Sequence, residues 1–314
     1  MAEATQLIFV TIVTIVQVVG LSLNILIVFL NLKSLKNDPA TNATTLIYLA
    51  MGVVNVFLQL QFMVQNFLSV FCPLWVFVGA LALAFIAFNV TCMHCSFWLT
   101  GWLCAYYCIT IVNSSHRLIV VLKRVISSFL PHILLLTVVG ATVLSVPCIW
   151  MLEIIREIHL QSNGTLETSV TTEKLHMNPT YVVIAALLGS CLPFTMAVIS
   201  TGVTAFALIR HIKAMKHNVS GDNRPNSQTL IDATRTMVLF LTTSIICCSF
   251  ELVFFTSEKG SSYDSLTLTG WFILSCFPST EAIIIIQASP KLRKAIIEKL
   301  CFWQGGNDGM CNNT

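Results

Sequence analysis

The most constraining feature of the sequence is a long stretch without any charged side chain. Residues 39–116 contain no Lys, Arg, Asp or Glu over 78 positions. A soluble domain needs charged groups along most of its length to keep its surface solvated. A chain embedded in a lipid bilayer does not, and one membrane-spanning helix takes about 20 residues. This stretch must therefore cross the membrane, turn near residues 71–73 and cross back.

The remainder of the chain has the same character. Of all residues, 56% are hydrophobic and 10% are charged, against about 25% charged in ordinary soluble domains. A net charge of +3 gives no support to nucleic-acid binding. Apolar runs predict an all-α fold of seven transmembrane helices in one domain, 1–302, followed by a disordered tail, 303–314. The predicted helices are 6–32, 43–71, 75–112, 125–152, 180–209, 236–257 and 266–288.

The orientation follows from the positions of the basic residues. Fourteen of the 17 Lys and Arg residues fall on one side of the predicted membrane. Loops rich in Lys and Arg stay on the cytoplasmic side of membranes. We therefore expect a multi-pass plasma-membrane protein with an extracellular N-terminus and a cytosolic C-terminus.

Cysteine usage is informative for what it excludes. Nine of the 12 cysteines lie in the predicted helices, and the long outer loop, 153–179, contains none. A disulfide between the third helix and that loop is therefore not available. The Cys92-x-x-Cys95 spacing could indicate a metal or redox pair, but inside a membrane helix we interpret both as small apolar residues. No other His or Cys has convincing metal-ligand spacing, so we predict neither a metal nor a cofactor.

Seven helices with basic inner loops suggest a G protein-coupled receptor, but the rhodopsin-like signatures at the inner ends of helices 3 and 7 are missing. The motifs that are present instead are Gly20-x-x-x-Asn24, Leu103-x-x-Tyr106-Tyr107, Leu192-Pro193-Phe194-Thr195, Leu208-x-x-His211-x-x-x-Met215 and Pro290-Lys291-Leu292-Arg293. In their order and spacing they resemble those of the type 2 taste receptors, the bitter receptors, over nearly the whole chain. That resemblance implies a receptor, not an enzyme, that responds to small bitter molecules and activates a gustducin-like heterotrimeric G protein of the Gi type.

The sequence departs from this family at the positions with polar roles, which indicates a divergent member. The family's Arg in helix 2 falls on Asn55 or Val53, depending on the alignment of the first inner loop. Its Lys near the inner end of helix 3 is Thr110, and its His-Ser pair in helix 7 is Glu281-Ala282. A Trp and an Asn that face the ligand in helix 3 correspond to Asn89 and Met93, which are four residues apart and therefore share one face of that helix.

Glu251 is the strongest candidate for a ligand contact. It lies in helix 6, about six residues from its outer end, and a carboxylate in hydrocarbon costs several kcal/mol unless it faces a cavity or a partner. Two interpretations remain open: a counter-charge for protonated amine ligands, or a protonated acid that donates a structural hydrogen bond. A lone histidine such as His94 is more often a packing group than a ligand contact. The complete predicted ligand-binding set is Gln65, Asn66, Asn89, Met93, His94, Phe250, Glu251, Phe254 and Trp271.

Glu281 is a second acid, predicted deeper in the membrane on helix 7. We expect it to be protonated at rest and to join a polar switch between helices 1, 2 and 7 with Asn24, Asn55 and Ser279. A passive hydrogen bond and a switch that makes basal signalling depend on pH or sodium are both compatible with the sequence.

The predicted cytosolic side carries the G protein contacts and a membrane anchor. Residues 290–302 predict an amphipathic interfacial helix with Leu292, Ile296, Ile297 and Leu300 on one face. Cys301 at its end is a candidate for palmitoylation. Asn163, in Asn163-Gly164-Thr165, is the one glycosylation motif on the outer side. The basic residues among the G protein contacts also fix topology and meet anionic lipid. The predicted G protein-facing residues are Asn113, His116, Arg117, His211, Lys213, Met215 and Lys216.

Two other function classes remain as alternatives. A type 1 vomeronasal pheromone receptor has a related architecture, but the cysteine-free outer loop and the spacing of His211 and Met215 argue against it. A membrane carrier usually shows internal repeats and several coupled ionisable groups, which the sequence lacks. Homo-oligomerisation is left open.

Overall fold

The computed structural model of the protein describes residues 2–37, 43–71, 79–111, 117–162, 167–217, 224–256 and 265–304. In these ranges the chain forms ten α-helices, one π-helical segment and a two-stranded β-hairpin. The elements are α1 (Ala2–Asn37), α2 (Ala43–Phe71), α3 (Gly79–Ile111), α4 (Arg117–Ser145), α5 (Cys148–Met151), β1 (Leu152–Ser162), β2 (Glu167–Met177), α6 (Pro179–Ala185), the π-helical segment Ala186–Cys191, α7 (Leu192–His217), α8 (Arg224–Thr256), α9 (Ser265–Ala288) and α10 (Pro290–Gln304).

Seven helical stretches in the described ranges are long and apolar enough to cross a bilayer, which confirms the predicted seven-helix bundle. The fourth of them runs from α4 through α5, and the fifth combines α6, the π-helical segment and α7. Large apolar side chains cover the outward faces: Trp150 is 72% exposed, Leu136 70% and Phe206 69%. A surface of this kind suits a lipid environment, whereas in water it would be an aggregation hazard.

α3 lies at the centre of the bundle, because it packs against α2, α4, the fifth span and α8. α9 closes the other side against α1, α2 and α8. In lipid the helices are held together by close packing and interhelical hydrogen bonds, since the lipid tails are as apolar as the helix faces. The buried cluster around Ile27, Met51 and Ile285 joins α1, α2 and α9.

The segment between the fourth and fifth spans forms an antiparallel hairpin. β1 pairs with β2 from Leu152 opposite Met177 to Ser162 opposite Glu167. β-branched residues are frequent in both strands, and such residues favour extended backbone. The sequence analysis placed a loop here and did not predict strands. The end of the bundle that bears this hairpin is called the hairpin end below, and the other is called the opposite end.

The predicted fourth helix, 125–152, is interrupted near the hairpin end. α4 ends at Ser145, and α5 begins at Cys148. Pro147 lies in the break, where it has no N–H to donate and its ring crowds the carbonyl group four residues earlier. α8 also differs, since it begins at Arg224 and not at 236. Its first turns are polar, so a search for apolar runs does not find them.

The fifth span contains the least regular backbone of the bundle. Asn178 caps α6, with its side-chain oxygen accepting the Thr180 N–H at 2.9 Å. In the π-helical segment the N–H of Leu192 bonds to the carbonyl of Leu187, five residues earlier. Pro193 follows at once, and in a regular α-helix its ring would collide with the carbonyl of Gly189. The wider π turn relieves that conflict, and such segments are frequent at functional sites.

α10 extends the chain beyond the seventh span at the opposite end. It reaches Gln304, so the first two residues of the predicted tail are helical, and 305–314 lie outside the described residues. Leu292 is buried in the same cluster as Ile285 and fastens α10 to the bundle. Ile297 is 53% exposed and is free to enter the lipid interface, whereas the side chain of Leu300 lies outside the described part.

Candidate functional site

A small cavity lies inside the bundle near the hairpin end, enclosed by α3, the fifth span and α8. Its volume is about 90 Å³, which is room for a few water molecules or one small chemical group and less than a drug-sized pocket of roughly 300–1,000 Å³. The polar residues in its wall are His94, Tyr181, Ser190 and Glu251. The remaining wall is formed by Val90, Met177, Val182, Ala185, Ala186, Cys191, Cys248 and Leu252.

Glu251 is the most unusual group in this wall. Its side chain is 8% exposed, and none of the residues that the structure describes makes a hydrogen bond or an ion pair with its carboxyl group. The nearby Tyr181 hydroxyl is directed instead at the carbonyls of Leu144 and Ser145, at 3.3 and 3.5 Å. Burial of a carboxyl group without a partner costs free energy. Glu251 is therefore poised to interact with a group that enters the cavity.

His94 forms the opposite wall of the cavity, on α3. It is 2% exposed, and its Nδ1 lies 3.4 Å from the Ser145 hydroxyl of α4. On the other side it meets Gly189 in the π-helical segment, where an added Cβ would lie 2.3 Å from its Nε2. His94 thus packs between the fourth and fifth spans and lines the cavity as well. These contacts are those of a packing residue that also borders the cavity.

Two further predicted ligand residues on α3 do not line the cavity. Met93 is fully buried in an apolar cluster with Phe62 and Phe277. Asn89 is half-buried, and its amide nitrogen has no hydrogen-bond partner in the described part of the chain. The sequence placed Asn89 and Met93 on one face of the helix, but that face is turned toward α2 and α9 at Met93 and away from His94.

The other predicted ligand residues are also dispersed. Asn66 donates to the side-chain oxygen of Gln17 at 3.1 Å, toward α1, and Gln65 is half-buried on α2. Trp271 packs beside the Met93 cluster. Phe250 lies against α9, with a ring carbon 3.4 Å from an added Cβ at Gly270, and the side chain of Phe254 is outside the described residues. Among the predicted ligand residues whose side chains the structure describes, only His94 and Glu251 come together at the cavity.

Side-chain hydrogen bonds connect α1, α2 and α9, and one of them is made by Gln59, which the sequence analysis did not select. Gln59 on α2 donates to the Ser279 hydroxyl on α9 at 2.6 Å. Asn24 on α1 donates to the carbonyl oxygens of Gly20 at 3.0 Å and Pro278 at 3.2 Å. Gln59 lies one helical turn after Asn55 on the same face of α2. That spacing could have identified Gln59 from the sequence.

Glu281 also contacts a helix that the sequence analysis did not name. Its carboxyl oxygens accept hydrogen bonds from Ser96 at 2.7 Å and Thr100 at 3.1 Å, both on α3. Asn55 lies beside the carboxyl group, yet neither of its amide atoms makes a hydrogen bond of ordinary geometry. Glu281 therefore links the seventh span to the third. Ser96 and Thr100 are also one turn apart, so the pair shares one helix face.

At the opposite end, the hydroxyl groups of Tyr48 on α2 and Tyr107 on α3 are hydrogen-bonded to each other across the bundle. Lys213, on the last turns of α7, is exposed. Several predicted sites lie outside the described residues or have side chains that do. They are Asn113, His116, Arg117, Asn163, His211, Met215, Lys216 and Cys301.

Seven spanning helices around an internal cavity define a multi-pass membrane protein with the architecture of a G protein-coupled receptor. Comparison with known proteins makes the assignment specific. The family model described as taste receptor protein (TAS2R) matches residues 1–304. The chain belongs to this family, the type 2 taste receptors, and is a chemosensory receptor rather than an enzyme.

Individual relatives agree with this assignment. Taste receptor type 2 member 40 of Gallus gallus is 23% identical over 285 residues, covering 89% of this chain and 90% of the relative. Member 2 of Homo sapiens is 23% identical over 290 residues, covering 90% and 92%. Member 9 of Macaca mulatta is 26% identical over 210 residues, covering 67% and 66%. The family predicted from the motifs is confirmed, and neither the vomeronasal receptor nor the membrane carrier is favoured.

Proposed function

We propose that the protein is a plasma-membrane receptor for small, bitter, protonated amines, and that Glu251 is their counter-charge. The observation that carries this proposal is a buried carboxyl group in a cavity wall without a partner among the described residues. A cationic ligand would supply the missing opposite charge, and charges attract more strongly inside the bundle than in water. Intramembrane ionisable residues of this kind commonly mark ligand or ion sites.

The size of the cavity gives the ligand a way to drive a conformational change. A volume of about 90 Å³ accepts an amine group but not a larger organic body. A larger ligand must therefore move the fifth span or α8 away from α3. Such a ligand stabilises the expanded state selectively, and only a difference in affinity between two states shifts their populations.

The expansion would be transmitted to the opposite end because α3, α7 and α8 also pack against one another there. Cys104 on α3, Ala197 on α7 and Met237 on α8 form one buried cluster. Displacement of α8 would open this cluster and expose a surface for the α-subunit of a gustducin-like, Gi-type G protein. The proposed contact residues are Asn113, His116, Arg117, His211, Lys213, Met215 and Lys216.

A signalling assay tests the function directly. Cells that express the receptor with a gustducin-type chimaeric G protein should show a calcium response to members of a bitter-compound panel. Uptake of the same compounds should not exceed that of cells without the receptor. A response without uptake supports the receptor; uptake without a response would support a carrier and contradict the proposal.

The proposed orientation predicts one glycan on the hairpin. Asn163 lies between β1 and β2, and we propose that this end is extracellular. Asn163→Gln should increase gel mobility to that of the glycosidase-treated receptor, because only an outward sequon meets the glycosylation enzymes. Asn218→Gln, a matched change in a sequon that follows α7, should leave mobility unchanged. If only the Asn218 variant lost a glycan, the proposed orientation would be wrong and the opposite one supported.

Membrane lipid is the remaining proposed partner at the opposite end. α10 would lie in the interface, with palmitoylation of Cys301 as a second membrane signal. Homo-oligomerisation stays an open prediction.

A further inference from the structure

A much larger concavity lies on the outside of the bundle, between α3, the α4–α5 span and the fifth span. Its volume is about 930 Å³, and neither His94 nor Glu251 lines it. Side chains at its margin are turned outward, with Leu136 70% and Val143 67% exposed. All the lining residues except Asn178, which directly precedes the fifth span, belong to membrane-spanning stretches, so the groove opens sideways into lipid. Its occupant is therefore a molecule that dissolves in the membrane.

One wall of the groove is flat, apolar and fixed in place. The rings of Trp98 and Trp102 on α3 have centroids 6.2 Å apart and planes inclined by 31°. Their indole N–H groups are directed at the protein, to the Leu188 carbonyl at 3.2 Å and the Thr137 hydroxyl at 3.1 Å. Because these donors are satisfied, the rings present mainly carbon surface to whatever occupies the groove. Such surface favours a broad, rigid, apolar partner.

The α4 wall of the groove includes a glycine. Gly140 is exposed, and a Cβ added there would meet no atom within 4 Å. A larger side chain at this position would therefore occupy space at the groove wall without displacing another residue.

Polar groups are concentrated at the hairpin end of the groove. Asn178 and Thr180 are both exposed there. The Asn178 oxygen accepts the Thr180 N–H, which leaves the Asn178 amide nitrogen and the Thr180 hydroxyl without a partner in the described ranges. From Thr180 to Leu192 the fifth span rises about 18 Å, close to the depth of one leaflet of a bilayer whose hydrocarbon core is about 30 Å thick.

We propose that this groove is a sterol site, with the sterol hydroxyl between Asn178 and Thr180 and the ring system against Trp98 and Trp102. A sterol is one leaflet long, has a single polar group at one end and carries a flat fused-ring body. Its rigid rings lose little conformational freedom on binding, whereas a phospholipid acyl chain must order many torsions. Each property corresponds to a feature of the groove.

The site is coupled by structure to the internal cavity. Trp98 bonds to Leu188 in the π-helical segment, and the next residue, Gly189, rests on His94. A sterol against Trp98 therefore supports the part of the fifth span that forms the cavity wall. The sterol site does not depend on the chemistry of the ligand at Glu251, so each proposal can fail without the other.

The test is photolabelling of the purified full-length receptor in phosphatidylcholine vesicles that contain a photoactivatable cholesterol analogue. Gly140→Leu places a large side chain in the α4 wall of the groove and should reduce labelling of α3, α4 and the fifth span at least fivefold. The matched control is Gly202→Leu, because an added Cβ there also meets nothing within 4 Å and the residue is outside the groove. Thr180→Val, which removes only the hydroxyl, should require several-fold more sterol for half-maximal labelling.

Unlabelled cholesterol should displace the probe from the parent receptor and from Gly202→Leu. The proposal is overturned if Gly140→Leu labels as strongly as the control, or if the labelled peptides lie outside these helices. It is also overturned if a photoactivatable phosphatidylcholine labels the groove and cholesterol does not displace it, or if this face cross-links to a second copy while excluding sterol. If Gly140→Leu fails to fold, unchanged sterol dependence in Thr180→Val overturns the proposal by itself.

Discussion

Replacing Glu251 with glutamine is expected to raise the concentration of protonated-amine agonists needed for half-maximal signalling by roughly 30-fold or more. The two side chains have nearly the same size, so the substitution removes the charge and leaves the cavity shape. Loss of one partner from a buried ion pair costs about 3–5 kcal/mol, and about 2 kcal/mol already corresponds to roughly 30-fold in affinity. Dose–response curves for calcium release, with cationic and uncharged bitter compounds side by side, measure the effect.

The design separates a ligand contact from a structural acid. Uncharged agonists should keep their potency in Glu251→Gln, and Glu298→Gln on α10 provides the same chemical change at the opposite end of the bundle. Surface labelling verifies that all variants reach the cell membrane. An unchanged response to every cationic agonist removes the counter-charge. Equal losses for charged and uncharged agonists would instead identify Glu251 as a structural hydrogen-bond donor.

Gly20→Val is expected to prevent stable assembly of the first, second and seventh spans. A Cβ at Gly20 would lie 1.9 Å from the Ser279 hydroxyl and 2.4 Å from the Gln59 amide nitrogen. α1 would have to move away from α9, and the Gln59–Ser279 hydrogen bond would break. Overpacking of this kind costs about 1–3 kcal/mol and occasionally more. Surface expression and the thermal midpoint of purified receptor should both fall strongly.

Gly202→Val is the matched control for this experiment. It introduces the same β-branched residue into a spanning helix, so it carries the same penalty in helix propensity. Nothing lies within 4 Å of an added Cβ at Gly202, and expression should therefore stay close to that of the parent. If the two valine variants were equally stable, close approach at Gly20 would not be needed for the fold.

The family was readable from the sequence because its signals are local. His211, Met215 and the prolines in their helices keep fixed distances along the chain, whatever the helices touch. The site could be predicted only in part, because its residues come together from segments that are far apart in the chain. Glu251 and His94 were selected as unusual residues in apolar helices, but nothing in the chain marked Tyr181 or Ser190 as their companions in the cavity wall.

Misplaced predictions share one physical cause. Asn89 and Met93 were assigned to the ligand site by their helix face, yet Met93 is buried among Phe62 and Phe277. Glu281 was assigned to a network of helices 1, 2 and 7; it lies beside Asn55, and it also binds the hydroxyls of Ser96 and Thr100 on α3. The spanning helices are apolar on nearly every face, so no hydrophobic stripe reports which way a helix is rotated.

The sequence by itself determined the bilayer as the solvent, the seven crossings and the taste receptor family. These follow from where charges are excluded and from motifs read along the chain, and neither requires knowledge of a neighbouring helix. Only the tertiary structure decided that the Glu251 carboxyl faces a cavity, that Gly189 rests on His94 and that Glu281 joins the third helix. Those contacts depend on how far each helix is rotated and how deeply it sits between its neighbours. Packing over the whole helix surface sets both.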